Sequence, residues 1–434
     1  MRTVDIGILL ADRVEFCLNG IYSGGGVECV TGETCVSANG NSIEWNGERF
    51  DKLLLVPMNE NCTFTVRDVV IGIDFHWERN ENQTFKGELL FFVESGKVRL
   101  VNRIGVEDYL QSVISSEMSA ASSLQLLKAH AVISRSWLYA QLQRMGDSRV
   151  TTSLCEECTD NEIIRWYARE DHDFFDFCAD DHCQRYQGIT RAMNPNVVRA
   201  VEETADMVLA YDGMVCDARF SKCCGGITEN FSTCWEDVNF PYLSSFRDTE
   251  TAGSFVDASS EDGARRWIEG RDDAFCSVAD ARVLSQILNG YDRETSDFYR
   301  WDVTYTAEEL SAVIEKKSGV DFGNIEELVP LQRGASGRIV KLKIVGSKKT
   351  VVVGKELEIR RWLSPSHLYS SAFVVDKKND SEGNVTFVLH GAGWGHGVGL
   401  CQIGAAVMSE KGYDYRAILS HYYPETELIN INNL

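Results

Sequence analysis

Apolar and polar residues alternate along the opening stretch MRTVDIGILLADRVEF, and residues 42–45, 52–56, 63–75, 88–92 and 97–101 are further short, largely apolar runs separated by turn signals. Alternation places successive side chains on opposite faces of an extended chain, so these stretches predict strands with one buried side. Asn46-Gly47 and Ser95-Gly96 supply the turns between neighbours. The period then changes. In VEDYLQSVISSEM, Leu110, Val113, Ile114 and Met118 recur at helical spacing, and beyond a break at 120–123 the run LQLLKAHAVISRSWLYAQL keeps that spacing. Residues 151–188 are polar and weakly patterned, which predicts an irregular loop held by something other than a core.

Residues 196–210 read as helical, and MVCDARFSKCCGGITENFSTCW predicts a strand entering a Gly-rich turn. From 250 to 330, acidic loops with helical runs at 281–288 and 307–316 predict a peripheral layer. Strands return in RIVKLKIVG, TVVVG and NVTFVLH, followed by a helix near 398–410 and a short helix before HYYPETEL. The fold class predicted is α+β. Residues 1–101 form a β-rich N-terminal region, 102–250 a core of mixed helices and strands, 251–330 a peripheral insertion, and 331–434 the segment that completes the core.

Composition narrows the partners. Of 434 residues, 43 are Lys or Arg and 65 Asp or Glu, a formal net charge of −22. Nucleic acid is thereby excluded as a default partner, since phosphate neutralisation needs a basic surface. With 44% apolar residues and only 6 prolines, the chain can bury a core and lacks the composition of a disordered linker. No stretch approaches the ~18 consecutive apolar residues of a membrane span. No signal peptide is expected within these residues, because Asp5 interrupts the apolar run one would need. The 14 cysteines fit bonded pairs in an oxidising compartment or free thiols in a reducing one.

Four segments carry candidate chemistry. Glu117 falls within the apolar stripe of the first helix, and a carboxyl aimed at a buried side favours its neutral, proton-donating form. The alternative is a helix-end carboxylate, half exposed and paired with Lys128 or Arg135. Those two cations sit on one face of the second helix and form a strip suited to an anionic ligand, or simply a solvated face. In LHGAGWGHGVGLCQIGAA, glycines 391, 393, 395, 397 and 399 occupy every second position and allow close backbone approach. The spacing is not the GxGxxG dinucleotide fingerprint, and His396 within it reads as a base or as a packed loop histidine. HDFFDFCADDHCQRYQG presents His172, Cys178, His182 and Cys183, the donor set of a closed structural zinc site. The Cys155–Cys158 pair competes with it, and Cys216, Cys223, Cys224 and Cys234 read as core thiols or disulfide partners.

Taken together, VNRIGVEDYLQSVISSEM with LLKAHAVISRSW, FSKCCGGITENFSTCW with PYL, SGRIVKLKIVG, and GWGHGVGLCQIGAAVMSEKGYDYRAILSHYYPETEL resemble the stage II sporulation protein D (SpoIID) family and its LytB-like amidase-enhancer relatives. The resemblance runs over most of the chain. It implies a lytic transglycosylase acting on peptidoglycan glycan strands without stem peptides, with Glu117 at the family's catalytic position. It implies a structural zinc on His172, Cys178, His182 and Cys183, and no organic cofactor. Lys128, Arg135, Gln184, Tyr186, Ser221, Trp394, His396 and Gln402 become candidates for binding the sugar. The cell envelope or periplasm becomes the expected workplace, with a cell-wall amidase as a possible partner. The alternative implied by the same relatives is a non-catalytic glycan-binding enhancer of such an amidase. The sequence departs from the family at His130, Ser136, Cys401 and Ile403, where Gln, Thr, Ser and Tyr are usual, and in its cysteine-rich CCGG and its 250–330 insertion.

Overall fold

A computed structural model describes the chain apart from residues 1, 73–77, 120–121, 147–155, 168–171, 181–182, 191–193, 251–255, 279–282, 285–297, 380 and 382. The fold is α+β, with a β-rich N-terminal region. The chain forms two compact units. One comprises residues 1–120, 130–135 and 169–206, and the other 121–129, 136–168 and 207–434.

The first unit is built on an 11-stranded sheet. Its central strands are Thr3–Ala11, Lys97–Gly105, Glu88–Glu94 and Lys52–Pro57, all antiparallel neighbours or partners of one another in that order. Two long strands, Arg13–Gly24 and Val27–Asn39, extend the sheet. Val27–Asn39 lacks an apolar period because only Val36 of its side chains is buried, so the sequence pattern missed it. Phe16, Phe64, Phe85 and Phe91 fill the core, with Phe16 and Phe91 ring centroids 5.1 Å apart and Phe64 and Phe85 5.4 Å apart.

The first helix, Val106–Glu117, follows directly on the strand Lys97–Gly105. Glu107 and Asp108 sit in its first turn, where carboxylates complement the helix dipole. The expected stripe is buried: Leu110, Val113, Ile114 and Met118 are all at 0% exposure. The second helix, Leu124–Gly146, is buried nearly all round, including His130, Ser134, Arg135 and Ser136. A helix of that kind carries polar groups only where they find partners, and His130 Nδ1 lies 3.2 Å from Ser134 Oγ.

Among the described residues the second unit holds four smaller sheets. The largest orders Glu156–Cys158, Glu162–Arg165, Thr350–Gly354, Ile339–Gly346 and Ile325–Arg333. Its core gathers Trp301, Leu310, Ile344, Trp362, Phe373 and Leu389. The helix expected over 196–210 is Pro195–Glu203, after which Met207–Tyr211 pairs as a strand with Glu427–Asn430. Val208, Leu209 and Ala210 are all buried there, and a continuous apolar run of this kind suits a buried strand as well as a helix. The helix expected from 398 begins at Gln402, because Leu400–Cys401 instead pairs in parallel with Phe220–Ser221. Of the helix expected over 281–288, only residues 283–284 fall among the described residues.

Candidate active site and metal-binding clusters

Glu117 is half-buried at the end of the first helix. Its Oε1 accepts a hydrogen bond of 3.2 Å from the backbone N–H of Arg185. Arg185 belongs to the loop that carries the histidine and cysteine donors, so one segment both fixes the carboxyl and gathers thiols. His172, Cys178 and Cys183 place one donor atom each within 4.8 Å of the others, and Cys183 Sγ lies 3.5 Å from His172 Nε2. The donor spacing and chemistry fit a thiolate and imidazole metal site. His182, the fourth expected ligand, and Cys155 lie outside the described residues.

The loop is pinned to the first sheet. Phe177–Cys178 forms a two-residue strand parallel to Thr3–Ala11, with Gly7 opposite Cys178. Around it Asp176 N donates to Asp5 O at 2.9 Å, and Ala179 N to Gly7 O at 3.1 Å. Gly7 leaves room for the Phe175 ring, which would lie 2.6 Å from a Cβ there. Asp5, whose charge argued against an export signal, forms a two-bond ion pair with Arg103 at 2.7 and 2.9 Å.

Gln184 and Tyr186 flank Arg185 and both point inward at 1% exposure. Gln184 Oε1 accepts from Tyr109 at 3.4 Å and its amide donates to Ser134 O at 3.4 Å. Tyr186 donates to Asn102 Oδ1 at 2.6 Å and stacks on Tyr109 at 5.2 Å. Burial pushes both phenols well above their ordinary pKa. These two residues brace the loop from beneath instead of lining a surface. Arg135 corrects the expected cationic strip: it is at 0% exposure, with Nε and Nη2 donating to Glu107 at 2.9 and 2.6 Å. Its charge is used inside the fold because the second helix has no solvated face there. Lys128 is half-buried, with its ammonium 5.6 Å from the centre of the Tyr415 ring.

In the second unit the Gly-rich turn is tightly held. Gly397 and Gly399 have positive φ, and a Cβ on Gly397 would lie 2.4 Å from the Arg338 guanidinium. The glycines thus admit a buried arginine, which donates to Gly395 O at 2.9 Å. Trp394 is half-buried, stacked on Tyr369 at 4.3 Å with Phe298 at 4.8 Å. His396 Nδ1 accepts from Val398 N at 3.0 Å, and its ring meets the Trp235 edge at 4.9 Å. Burial, then the charges of Arg219, Arg338 and Arg360, hold this imidazole well below its usual pKa, so it is neutral. Ser221 and Gln402 are buried at 7% and 2% exposure. The Ser221 Oγ makes no hydrogen bond among the described residues.

A feature not anticipated from the sequence lies in the same unit. Cys224, Asp248, Cys276 and Cys401 are all buried, and each offers a donor atom within 4.8 Å of the rest, a cluster able to bind a metal. Cys223, also at 0% exposure, adjoins it. The described cysteines are free thiols. No spacing rule reveals this cluster, since its members come from stretches far apart in the chain.

Comparison with known proteins gives a consistent picture. The family profile described as Stage II sporulation protein matches residues 94–211, and one described as Domain of unknown function (DUF8618) matches residues 229–399. The chain is 27% identical over 333 residues to the amidase enhancer of Bacillus subtilis, covering 74% of this chain and 40% of that protein. It is 23% identical to the stage II sporulation protein D of Bacillus amyloliquefaciens, covering 76% and 75% of the two chains. An uncharacterized protein of Brachyspira hyodysenteriae is 25% identical over 350 residues, 81% of this chain and 73% of its own length.

Proposed function

The chain belongs to the stage II sporulation protein D family, and on that premise we propose that it is a peptidoglycan lytic transglycosylase that cleaves glycan strands lacking stem peptides. The observation that carries the reading is the fixed carboxyl of Glu117, half-buried and held through one oxygen by Arg185 N–H. With Oε1 accepting that bond, Oε2 is the oxygen left to carry and donate a proton.

Ordinary glycoside hydrolysis needs two carboxyl groups, about 5–5.5 Å apart in retaining enzymes or ~6.5–9.5 Å apart in inverting ones. A lytic cleavage needs one. Glu117 protonates the glycosidic oxygen as the bond to the anomeric carbon breaks. The resulting carboxylate then takes the proton from the muramic acid's own 6-hydroxyl as that oxygen bonds the anomeric carbon. No water is consumed, the glutamic acid is regenerated, and the new end is a 1,6-anhydro sugar. Attack from within the same residue supplies the nucleophile at high effective concentration.

Residues His172, Cys178 and Cys183, with His182, would hold a structural zinc whose contribution is to keep the Arg185 segment in place. Glycan without peptides exposes lactyl carboxylates, and Lys128 is the cation proposed to meet them. Trp394 and His396 are proposed as sugar contacts of the Gly-rich turn, whereas Ser221, its hydroxyl buried, is not. The family's workplace, the cell wall, is where we expect the chain to act. Among the described residues no helix is long and apolar enough to cross a membrane.

A second reading is supported by the match to the amidase enhancer: a glycan-binding protein that raises the activity of a cell-wall amidase without cutting the strand. The chain spans 40% of that relative's length. Incubation with peptide-free glycan separates the two readings. Release of soluble fragments with time supports the transglycosylase. Co-sedimentation with the strands without any release, together with faster amidase turnover, supports the enhancer.

A further inference from the structure

We propose that Cys224, Cys276, Cys401 and Asp248 form a second, structural zinc site, buried in the second unit and independent of the His172, Cys178 and Cys183 cluster. All four side chains are at 0–2% exposure. Cys224 Sγ lies 3.5 Å from Cys276 Sγ and 3.2 Å from Asp248 Oδ2. A tetrahedral zinc with arms near 2.3 Å separates its donors by about 3.8 Å, so these distances need only small adjustments to close around an ion.

The surroundings are those of metal-bound thiolates. Cys401 Sγ accepts from the N–H of Cys224 at 3.3 Å and of Gly404 at 3.4 Å, and Cys224 Sγ accepts from the N–H of Gly226 at 3.3 Å. Cys401 also caps the helix Gln402–Glu410, placing its sulfur at the positive end of that helix. The carboxylate is divided between two tasks. Its Oδ1 is held by Tyr422 at 2.8 Å and by His421 Nε2 at 3.0 Å, which leaves Oδ2 facing the thiols. Carboxylate ligands are oriented in this way by outer partners. Three soft thiolates and one oxygen select zinc over calcium or magnesium. A closed site with four protein donors is structural rather than catalytic.

The site would join four stretches: the CCGG turn, the segment of Asp248, Cys276 of the 250–330 insertion, and the end of the Gly-rich turn. It accounts for Cys401 standing at a position where the resemblance leads one to expect serine, and for the insertion carrying a buried cysteine.

The test is the zinc content of the reduced, folded chain after removal of loose metal, compared with a Cys224→Ser/Cys401→Ser variant. The wild type is expected to hold one more zinc per chain than the variant, with its Cys178 and Cys183 cluster untouched in both. X-ray absorption of a Cys178→Ser/Cys183→Ser variant is expected to show zinc in a sulfur-rich shell near ~2.3 Å. Equal zinc in wild type and the soluble Cys224→Ser/Cys401→Ser variant overturns the proposal. Should that variant not fold, the zinc content of the folded Cys178→Ser/Cys183→Ser variant decides: about one zinc per chain in a sulfur-rich shell supports the site, and a folded chain without zinc overturns it.

Discussion

The backbone N–H of Arg185 donates to Glu117 Oε1 across 3.2 Å, and Arg185 follows Cys183 and Gln184 in the chain. The proposed acid and the proposed zinc loop are therefore joined by one peptide group. Anything that loosens the loop moves the hydrogen bond that orients the carboxyl.

Replacing Cys183 by Ser removes a donor without touching Glu117. The expected outcome is loss of the zinc held by this loop and a fall in kcat on peptide-free glycan on the order of 10²-fold, since a shift of about 1 Å at a reacting group costs that much. Steady-state kinetics with metal analysis checks it. Unchanged kcat in a zinc-free variant would separate the metal from the acid.

The Glu107–Arg135 pair supports the fold. With Arg135 fully buried and bonded through two nitrogens, Glu107→Ala strands a charge in the interior and is expected to cost about 3–5 kcal/mol. Urea denaturation measures this. Arg135→Lys should be destabilising in its own right, because an ammonium cannot reproduce the two-pronged bond. A cost below about 1 kcal/mol for Glu107→Ala would contradict the assignment.

Lys128→Glu addresses substrate binding instead of stability. Its expected effect is weaker retention on peptide-free glycan, with a salt dependence smaller than that of the wild type. Binding at two ionic strengths is the measurement. Equal affinity of both proteins would remove Lys128 from glycan binding.

Glu358 gives the second unit an acid sensitivity. It is fully buried and accepts from Trp362 Nε1 at 2.7 Å, from Arg361 at 2.5 and 2.9 Å, and from Tyr167. Burial alone would raise its pKa, but hydrogen bonds from Arg361 and Tyr167 and the charges of Arg361 and Arg165 outweigh it and hold the carboxyl below the usual range. A depressed native value means the stabilisation is complete above the unfolded value of ~4.3 and is lost as pH falls through the native one. Glu358→Gln is expected to cost about 2–3 kcal/mol near neutral pH, less than a fully buried pair because the arginines are partly exposed. It should also flatten the fall in stability at acid pH. A variant whose stability falls as steeply as the wild type would show that other carboxylates dominate.

Much of this was legible from periodicity. The first helix and its stripe could be read because Leu110, Val113, Ile114 and Met118 recur at one spacing and are all buried. The same stripe put Glu117 on the buried side, whereas the structure leaves it half-buried at the helix end. Val27–Asn39 was not legible, because a strand with Val36 as its one buried side chain has no apolar alternation to detect. Arg135 was misread because a charged side chain at helical spacing looks the same whether it faces water or Glu107. Gln184 and Tyr186 sit beside the loop that carries chemistry, yet their side chains turn toward Asn102, Tyr109 and Ser134. The Cys224, Asp248, Cys276 and Cys401 cluster is assembled only by the tertiary fold, so motif spacing could not reveal it.

The most direct test of the central claim is the mass of the ends produced from peptide-free glycan strands by the wild type and by Glu117→Gln. The account predicts ends one water lighter than those of hydrolysis, from the wild type alone, with the variant folded and inactive. Hydrated ends, or equal cleavage by both proteins, would contradict it.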